Sequence, residues 1–317
     1  MSCIETKSLS KLYGNINAVD GIDISVNYGN IFEFLGPNWA GKTTTIKLLT
    51  TLIPPSGGSM KILGLDAITS PLEVRKEIGV VLQQPSYEPT LTVEKSLEKY
   101  GMMWNVDKKT RKDRVEELLS AFDLTEIRNI TNDELSIGLR RRVQVAREFM
   151  HEMKLLFLDE PTVGLDPSAR KKLLDFIKEK VKYGLTVFFT THLLNEAEYI
   201  CDQVAIINKG KIIAVDTPEE LKNKFGREKT IKIHLDSIRK DLSHLLVGIR
   251  DYEIDFNSGT NITIRSNDSE DVLLKILQIL TANNIMIEDL SAVPTTLEEI
   301  FLSVVNNSNA SSDSTSK

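Results

Sequence analysis

The chain has 317 residues, and its 39 Lys and Arg against 45 Asp and Glu give a formal net charge of −6 at pH 7. Its 41% hydrophobic and 26% charged residues are typical of a soluble globular protein and exclude disorder or collagen-like repetition over most of its length. Domains of roughly 100 to 200 residues predict two of them. The acidic balance argues against duplex nucleic acid as the main partner, so no nucleic acid is expected to bind.

The sequence predicts no membrane-spanning segment, because no stretch approaches the roughly 18 consecutive apolar residues that such a helix needs. The first residues, Met1 to Glu5, have no charged segment followed by an apolar one, so we expect no secretory signal. Cys3 and Cys201 are too few for a disulfide framework or a zinc site. These features predict two reduced thiols and a cytoplasmic location.

Apolar runs rich in β-branched residues alternate with helical patterns over the first two thirds of the chain. The runs are Ile22 to Val26, Ile31 to Leu35, Ile78 to Leu82, Leu155 to Leu158, Thr186 to Thr190 and Val204 to Ile207. Several are apolar on both faces, which is typical of strands in a sheet covered by helices on both sides. The pattern predicts an α/β fold.

A helical insertion is predicted at about residues 88–150, because strand signals give way there to a spacing of three and four. The helical stretches are Leu91 to Trp104, Lys112 to Phe122 and Gly138 to Met150. The last of them contains the run Arg140-Arg141-Arg142. We interpret this run as a solvated helix face.

A second domain is predicted after a change of pattern near Thr217. Strands are predicted at Ile231 to Leu235, Tyr252 to Phe256, Ile262 to Arg265 and Ile285 to Leu290, with helices at Ser237 to Leu246 and Ser269 to Thr281. This order predicts a small α+β domain of the ferredoxin-like kind. We place the two domains at residues 1–222 and 227–305. Thr296 and Glu299 predict a capping box that opens a last helix, and the polar residues 306–317 predict a disordered tail.

A phosphate-binding loop is predicted directly after the strand that ends at Leu35. The sequence there is Gly36-Pro37-Asn38-Trp39-Ala40-Gly41-Lys42-Thr43-Thr44, which is G-x-x-x-x-G-K-T between a strand and a helix. Backbone amides at a helix N-terminus attract phosphate oxygens. Lys42 is predicted to reach the β- and γ-phosphates and Thr43 to place its hydroxyl on Mg²⁺. The alternative is a glycine-rich turn that binds nothing.

Two carboxylates, Asp159 and Glu160, end the apolar strand that begins at Leu155. The carboxyl ends of strands are where open α/β sheets bind ligands. Asp159 suits a Mg²⁺ shell, and Glu160 can act as general base on an attacking water. Two solvated carboxylates at a strand end are the alternative interpretation, and the preceding phosphate loop disfavours it.

With these residues the chain resembles the ATP-binding subunit of an ABC transporter, from about Ile4 to Glu220. The resemblance implies ATP and Mg²⁺ as cofactors. It also implies that Tyr13 stacks on adenine and that Gln83, after the strand ending at Leu82, senses Mg²⁺ and joins the catalytic core to the helical insertion.

The same resemblance assigns three later motifs. Ser136 and Gly138, in Leu135-Ser136-Ile137-Gly138-Leu139, are similar to the family signature that opens a helix, with Ser136 as the predicted N-cap. Asp166 resembles the residue that touches the opposite subunit. His192 resembles the switch histidine that faces the γ-phosphate.

The resemblance further implies a homodimer that forms on ATP binding. The Lys42 loop of one copy and the Ser136 helix of the other close on the same triphosphate in a head-to-tail pair, and hydrolysis removes the bridge. The helical insertion transmits the movement to a separate membrane subunit. The chain is therefore expected at the cytoplasmic face of the membrane.

Three further segments resemble the daunorubicin-resistance type of exporter ATPase. They are Ile31 to Pro37, Leu139 to Val143 and Pro294 to Phe301. This likeness implies an ABC-2 type permease as partner, a hydrophobic drug-like or lipid-like compound as cargo, and a small C-terminal domain. The role of that domain stays open between dimer stabilisation or permease docking and the binding of a small regulator.

The chain departs from the family pattern at three positions that usually carry glycine: Glu33, Trp39 and Ile137. An unpaired carboxylate in a buried strand costs several kcal/mol or stays protonated. If the loop needs positive φ at Trp39, the strain is on the order of 1 to 2 kcal/mol, and we expect the indole to crowd the phosphates. Ile137 puts a β-branched side chain where the signature backbone should approach the partner's phosphate.

These departures leave two hypotheses. The first is a working ATP hydrolase that powers export, since Lys42, Thr43, Asp159, Glu160 and His192 are retained. The second is a degenerate nucleotide-binding regulatory subunit with little or no turnover. A soluble ABC protein acting on ribosomes or DNA is disfavoured, because the chain has one phosphate loop and no long heptad insertion.

Overall fold

The computed structural model describes residues 2–84, 86–225, 229–236, 245–246, 249, 253–255, 261–266, 269–293, 296–302 and 304–305. The chain divides into two compact units, Met1–Pro218 and Glu219–Lys317. The domain bounds that we place at residues 1–222 and 227–305 stay a prediction.

Alternating strands and helices make up the first unit. In chain order it contains β1 (Ser2–Tyr13), β2 (Ile16–Ile22), β3 (Ser25–Asn27), β4 (Ile31–Leu35), α1 (Lys42–Leu49), β5 (Gly57–Ile62), β6 (Leu65–Asp66), α2 (Pro71–Lys76), β7 (Ile78–Val81), α3 (Val93–Met103), α4 (Lys108–Ala121), a 3-10 turn (Thr125–Ile127), α5 (Ile137–Glu148), β8 (Leu155–Asp159), α6 (Pro167–Lys182), β9 (Thr186–Thr190), α7 (Leu194–Ile200), β10 (Gln203–Asn208) and β11 (Lys211–Asp216). Among the described residues, no helix has the length and apolar character needed to cross a membrane.

The central sheet has six strands in the order β11-β10-β4-β9-β8-β7. All neighbours pair in parallel except β11, which runs antiparallel to β10. Strands β4, β8 and β9 are buried along their whole length, as their continuous apolar sequences predict. The α/β prediction is confirmed, and the carboxyl ends of β4, β8 and β9 meet at one edge of the sheet.

Two apolar cores lie on opposite faces of the central sheet, because alternate residues of a strand point to opposite sides. Phe32 and Phe34 of β4 contact Phe188 of β9, with ring centroids 5.5 and 5.6 Å apart, in the core shared with the antiparallel sheet. Ile31 and Phe189 belong to the other core, under helices α3 to α6. Each fully buried Phe contributes about 1.5 to 3 kcal/mol through the hydrophobic effect.

A second sheet of the first unit is antiparallel, with β1 pairing with β2, β3 and β5, and β5 with β6. The sequence did not predict it, and the predicted strand from Ile22 to Val26 is wrong. That run contains the end of β2 at Ile22 and the start of β3 at Ser25. One side of this sheet is solvent-exposed, so polar residues interrupt its apolar pattern and weaken the strand signal.

The three helices expected in the insertion are present as α3, α4 and α5. Helix α4 begins at Lys108 instead of the expected Lys112, because Asp107 caps it. The Asp107 side chain accepts hydrogen bonds from the backbone N–H groups of Lys109 and Thr110, at 3.1 and 3.0 Å. The pKa of Asp107 is lowered first by a hydrogen bond from the Thr110 side chain and then by these backbone bonds.

The second unit contains a four-stranded antiparallel sheet in the order β13-β14-β12-β15. Helix α8 (Pro218–Phe225) begins at the division, and β12 (Lys229–Leu235), β13 (Glu253–Asp255), β14 (Asn261–Ser266), α9 (Ser269–Ala282) and β15 (Ile287–Val293) follow. Helix α9 covers the sheet with Ile276 and Leu280, which share a buried cluster with Ile233 and Ile262. This arrangement confirms the α+β expectation for the C-terminal part.

Other expectations for the second unit differ in outcome. The predicted capping box is confirmed: the Thr296 N–H donates to Glu299 Oε2 at 3.2 Å, and the Glu299 N–H donates to Thr296 Oγ1 at 3.3 Å. Residues 297–302 are helical. Nearly all of the predicted helix from Ser237 to Leu246 and the whole tail 306–317 lie outside the described residues.

His151 predicts a pH dependence of stability. Its buried ring stacks on Trp104, with centroids 3.9 Å apart, and burial lowers its pKa to about 4. The folded-state pKa lies below the ordinary value of about 6.5. The neutral His151 ring therefore contributes to the stability of the folded state above pH 6.5, and this contribution is lost as pH falls toward 4. In His151→Phe, which keeps the stack, the free energy of unfolding should fall roughly 2 kcal/mol less than in the wild type over this range. Urea unfolding between pH 7 and 4.5 measures the difference, and parallel pH curves would contradict it.

Candidate active site

The phosphate loop, residues 36–41, joins β4 to α1 at the carboxyl edge of the central sheet. Both glycines of this loop stand where a side chain would collide with the backbone of a neighbouring segment. A Cβ at Gly36 would lie 2.5 Å from the carbonyl oxygen of Ile207, and one at Gly41 would lie 2.4 Å from that of Ala18. Gly41 also has φ of 110°, a conformation that favours glycine. The backbone of the loop therefore lies against its neighbours and leaves its amides at the N-terminus of α1.

Lys42 is the first residue of α1, and its ammonium group is nearly buried. Its Nζ donates hydrogen bonds to the carbonyl oxygens of Gly36 at 2.5 Å and Pro37 at 3.2 Å. Burial lowers its pKa, while the carboxylates of Glu160, Glu33 and Asp159 act in the opposite direction. The cation is thus held inside the loop, where it can neutralise a phosphate group.

Asp159, at the end of β8, joins three elements of the site. Its Oδ2 accepts a hydrogen bond from the Thr43 hydroxyl at 3.0 Å, and its Oδ1 accepts one from the Thr190 hydroxyl at 2.7 Å. A hydroxyl and a carboxylate oxygen side by side are ligands that Mg²⁺ prefers, and Mg²⁺ commonly takes one or two protein ligands together with substrate phosphates. The residues present therefore fit Mg²⁺.

Glu160 and His192 form the second pair of the site. His192 Nδ1 lies 2.5 Å from Glu160 Oε2, although 32 residues separate them. Glu160 has φ of 54°, an uncommon conformation for a side-chain-bearing residue, and its N–H donates to the carbonyl oxygen of Thr190 at 3.0 Å. The structure thus brings together Lys42, Thr43, Asp159, Glu160 and His192.

Trp39 has a positive φ of 69°, the condition on which the predicted backbone strain depends. Its indole is 99% exposed, so it extends into solvent and does not fill the concavity of the loop. The expected crowding is therefore not a feature of this conformation. Its neighbours differ in burial: Ala40 is buried, Asn38 is exposed, and Thr44 is half-buried.

The signature motif and the Asp166 motif lie against each other. Ser136 is the N-cap of α5, as predicted, and its hydroxyl accepts a hydrogen bond from the Leu139 N–H at 3.2 Å. A Cβ at Gly138 would lie 2.5 Å from the carbonyl oxygen of Gly164, so this position requires glycine. Asp166 caps α6 through the Ala169 N–H, at 3.0 Å.

The structure does not join every predicted residue to the phosphate loop. Within the described part of the chain, no hydrogen bond links Ser136, Gly138 or Asp166 to residues 36–44. Tyr13, at the end of β1, is about half exposed, and Lys11 Nζ lies 5.3 Å from its ring centroid. The Gln83 side chain is exposed.

Arg141 is the residue that the sequence interpretation missed. Its guanidinium is buried and donates hydrogen bonds to the carbonyl oxygens of Leu82, Pro161, Glu160 and Asp159. The first of these bonds is 2.6 Å long and the bond to Glu160 is 2.8 Å long. Burial lowers the pKa of Arg141 to about 10.

The interpretation of residues 140–142 as a solvated face is wrong for Arg141. Arg141, Gln144, Val145 and Glu148 are all buried, and their spacing of three and four places them on one face of α5. This spacing was the available signal, but a charged residue at its start weakened it. Arg141 thus supports the end of β8 and the segment that leads to Gln83.

Two family profiles match the sequence: "ABC transporter" at residues 19–163, and "ATP-binding protein DrrA1-3-like, C-terminal domain" at residues 217–305. Among curated proteins, the daunorubicin/doxorubicin resistance ATP-binding protein DrrA of Streptomyces peucetius is 34% identical, over 95% of this chain and 92% of its own length. The linearmycin resistance ATP-binding protein LnrL of Bacillus subtilis is 31% identical, over 95% and 97%. A solved structure described as an ATP binding subunit of an ABC transporter is 29% identical, with a TM-score of 0.66 over 71% of this chain and 94% of its own.

Replacing Arg141 should destabilise the protein strongly. Arg141→Met leaves four buried carbonyl groups without this donor, and we expect the free energy of unfolding to fall by about 3 kcal/mol. Arg142→Met is the matched control on the same helix. Among the described residues Arg142 makes one hydrogen bond, to the Phe122 carbonyl at 3.2 Å, so its replacement should cost about 1 kcal/mol or less. Urea unfolding compares the two variants, and equal losses would show that the Arg141 contacts contribute little.

The positive φ of Trp39 predicts an order of stability between two replacements. Trp39→Gly should be more stable than Trp39→Ala by about 1 kcal/mol, because alanine keeps the Cβ strain and glycine does not. At Ile137, the first residue of α5, the order should be reversed: Ile137→Ala should be more stable than Ile137→Gly by about 0.5 to 1 kcal/mol. Thermal and urea unfolding of the four variants test this reversal, and the same order at both positions would contradict it.

Proposed function

Because the chain belongs to the ATP-binding proteins of ABC transporters and carries a DrrA-like C-terminal domain, we propose that it binds and hydrolyses Mg-ATP to power an exporter. One observation carries the proposal: the Lys42 loop, the Thr43–Asp159 pair and the Glu160–His192 pair lie at one edge of one sheet. These are the groups that phosphoryl transfer to water needs, namely a phosphate cradle, a metal site and a base.

Binding of the triphosphate is assigned to residues 36–44. The loop amides and the N-terminus of α1 attract phosphate oxygens, and Lys42 gives up its carbonyl contacts with Gly36 and Pro37 to reach the β- and γ-phosphates. Tyr13 offers an exposed ring on which adenine stacks. Burial of the Lys42 side chain lowers the cost of this exchange, because the ammonium group is already largely desolvated.

Mg²⁺, when bound, would neutralise charge on the phosphate oxygens. Thr43 and Asp159 would hold it, with Gln83 as a further ligand. Thr190 keeps one Asp159 oxygen fixed, so that the other stays directed toward Thr43. Asp159 is thereby oriented before the substrate arrives.

Glu160 is the proposed general base. Its carboxylate accepts a proton from the water that attacks the γ-phosphorus, and the products are ADP and inorganic phosphate. The backbone of Glu160 is fixed by the Thr190 carbonyl and its side chain by His192 Nδ1. With Nδ1 engaged, Nε2 is the ring nitrogen of His192 that we assign to the γ-phosphate.

Two copies are proposed to close head to tail on ATP, with Ser136, Gly138 and Asp166 of one copy completing the site of the other. The helical segment 88–150 then transmits the movement to a separate ABC-2 type permease, which holds the chain at the cytoplasmic face of the membrane. The names of the two curated relatives refer to resistance to daunorubicin, doxorubicin and linearmycin. They support a hydrophobic drug-like or lipid-like compound as the cargo.

Glu160→Gln should abolish turnover and keep nucleotide binding. Loss of a general base lowers kcat by about 100-fold or more, while an uncharged amide of the same shape leaves the phosphate loop intact. Glu152→Gln, at an exposed position, is the matched control and should hydrolyse at the wild-type rate. Phosphate release and calorimetric titration with Mg-ATP measure the two properties.

Equal hydrolysis by wild type and Glu160→Gln would remove Glu160 as the base. A wild type that binds ATP without measurable turnover would instead support the degenerate regulatory subunit. In that case the double variant Trp39→Gly, Ile137→Gly should recover hydrolysis if the lost glycines are the cause.

A further inference from the structure

His192 is carried by a backbone segment that two buried carboxyl groups hold through Thr191. The Thr191 N–H donates to Glu33 Oε1 at 2.9 Å, and its hydroxyl donates to Glu196 Oε2 at 2.9 Å. The Leu193 N–H donates to the same hydroxyl at 3.0 Å. The backbone on both sides of His192 is therefore fixed.

We propose that Glu33 is a positioning residue for hydrolysis: through the Thr191 N–H it places the backbone from which His192 reaches Glu160. The inference rests on the proposed function, since it concerns the same pair of residues. It assigns a role to a side chain at a position where the family pattern usually has glycine, which offers no side-chain acceptor.

The location of Glu33 makes this contact specific. Glu33 is the middle residue of β4, fully buried, and its neighbours across the sheet are Phe189 of β9 and Val204 of β10. Thr191 follows β9 directly, so the Glu33 side chain bridges from the centre of one strand to the end of the next. A buried N–H that loses its acceptor is unfavourable, which favours a displaced segment in which the Thr191 N–H finds another partner.

The groups around Glu33 favour its neutral form. Burial raises its pKa well above the ordinary value, and the carboxylates of Glu160 and Glu196 raise it further, against the Thr191 N–H and Lys42. The Cys201 thiol also faces it, 3.9 Å from Oε2. A neutral carboxyl group keeps its acceptor oxygen without leaving an uncompensated buried charge, and glutamine is its closest replacement.

Glu196 keeps the segment folded when Glu33 is changed. It also accepts a hydrogen bond from the Thr162 hydroxyl at 2.9 Å, and its Oε1 lies 3.2 Å from Arg170 Nε. These contacts do not involve Glu33. Removing the Glu33 acceptor should therefore move His192 without unfolding the chain.

The test compares Glu33→Gln, which keeps an acceptor oxygen, with Glu33→Met, which has a similar length and none. In the full chain with Mg-ATP, we expect Glu33→Met to lower kcat about 10-fold with KM within about twofold, and Glu33→Gln to stay within about twofold of wild type. Cys201→Ala changes the same surroundings without touching the Thr191 contact, and it should leave kcat unchanged.

The His192→Ala background distinguishes a positioning role of Glu33 from a merely structural one. If Glu33 acts through His192, Glu33→Met should lower kcat no further once His192 is absent. The proposal is overturned if Glu33→Met hydrolyses ATP like wild type, or if it lowers kcat by the same factor with and without His192.

A second measurement does not depend on turnover. The chain has four histidines, so the Cε1–H signal of His192 can be assigned by NMR with the His192→Ala variant. The signal should move or broaden in Glu33→Met and keep its wild-type position in Glu33→Gln. An unchanged signal in both variants would overturn the proposal, whereas a shift in a protein without hydrolysis would contradict the proposed function alone.

Discussion

The site depends on one carboxylate, that of Asp159, which holds three separate elements in register. One oxygen accepts from Thr43 on α1 and the other from Thr190 on β9, while Asp159 itself ends β8. Glu160 is the next residue and His192 follows Thr190 by two, so the bond between Asp159 and Thr190 holds together the two strand ends that carry this pair. The parallel sheet makes this possible, because it brings the carboxyl ends of β8 and β9 to one edge.

Buried polar groups behind this edge support it from two directions. Arg141 donates to the carbonyl groups at the end of β8, and Glu33 accepts from the N–H that follows β9. Burial favours the neutral form of both side chains and therefore lowers the pKa of Arg141 and raises that of Glu33. Each is paired with backbone groups, which is how a fold retains polar side chains in an apolar core.

The glycine pattern of the site follows from sterics. At Gly36, Gly41 and Gly138, an added Cβ would lie 2.4 to 2.5 Å from a backbone oxygen, and the chain has glycine at all three. Trp39 and Ile137 stand at positions where the side chain extends into solvent, with 99% and 70% exposure. These two departures from the family pattern are thus found where the isolated chain has room for them, whereas the third, Glu33, is fully buried.

The sequence by itself determined the parallel strands and the phosphate loop, because both depend on residues that are adjacent in the chain. Continuous apolar runs indicate strands buried on both faces, and G-x-x-x-x-G-K-T specifies a turn and a helix start within eight residues. Only the tertiary structure decided the antiparallel sheet, the burial of Arg141 and the contact between Glu33 and Thr191. Glu33 and Thr191 are 158 positions apart, and no local pattern encodes which distant backbone group a buried side chain meets.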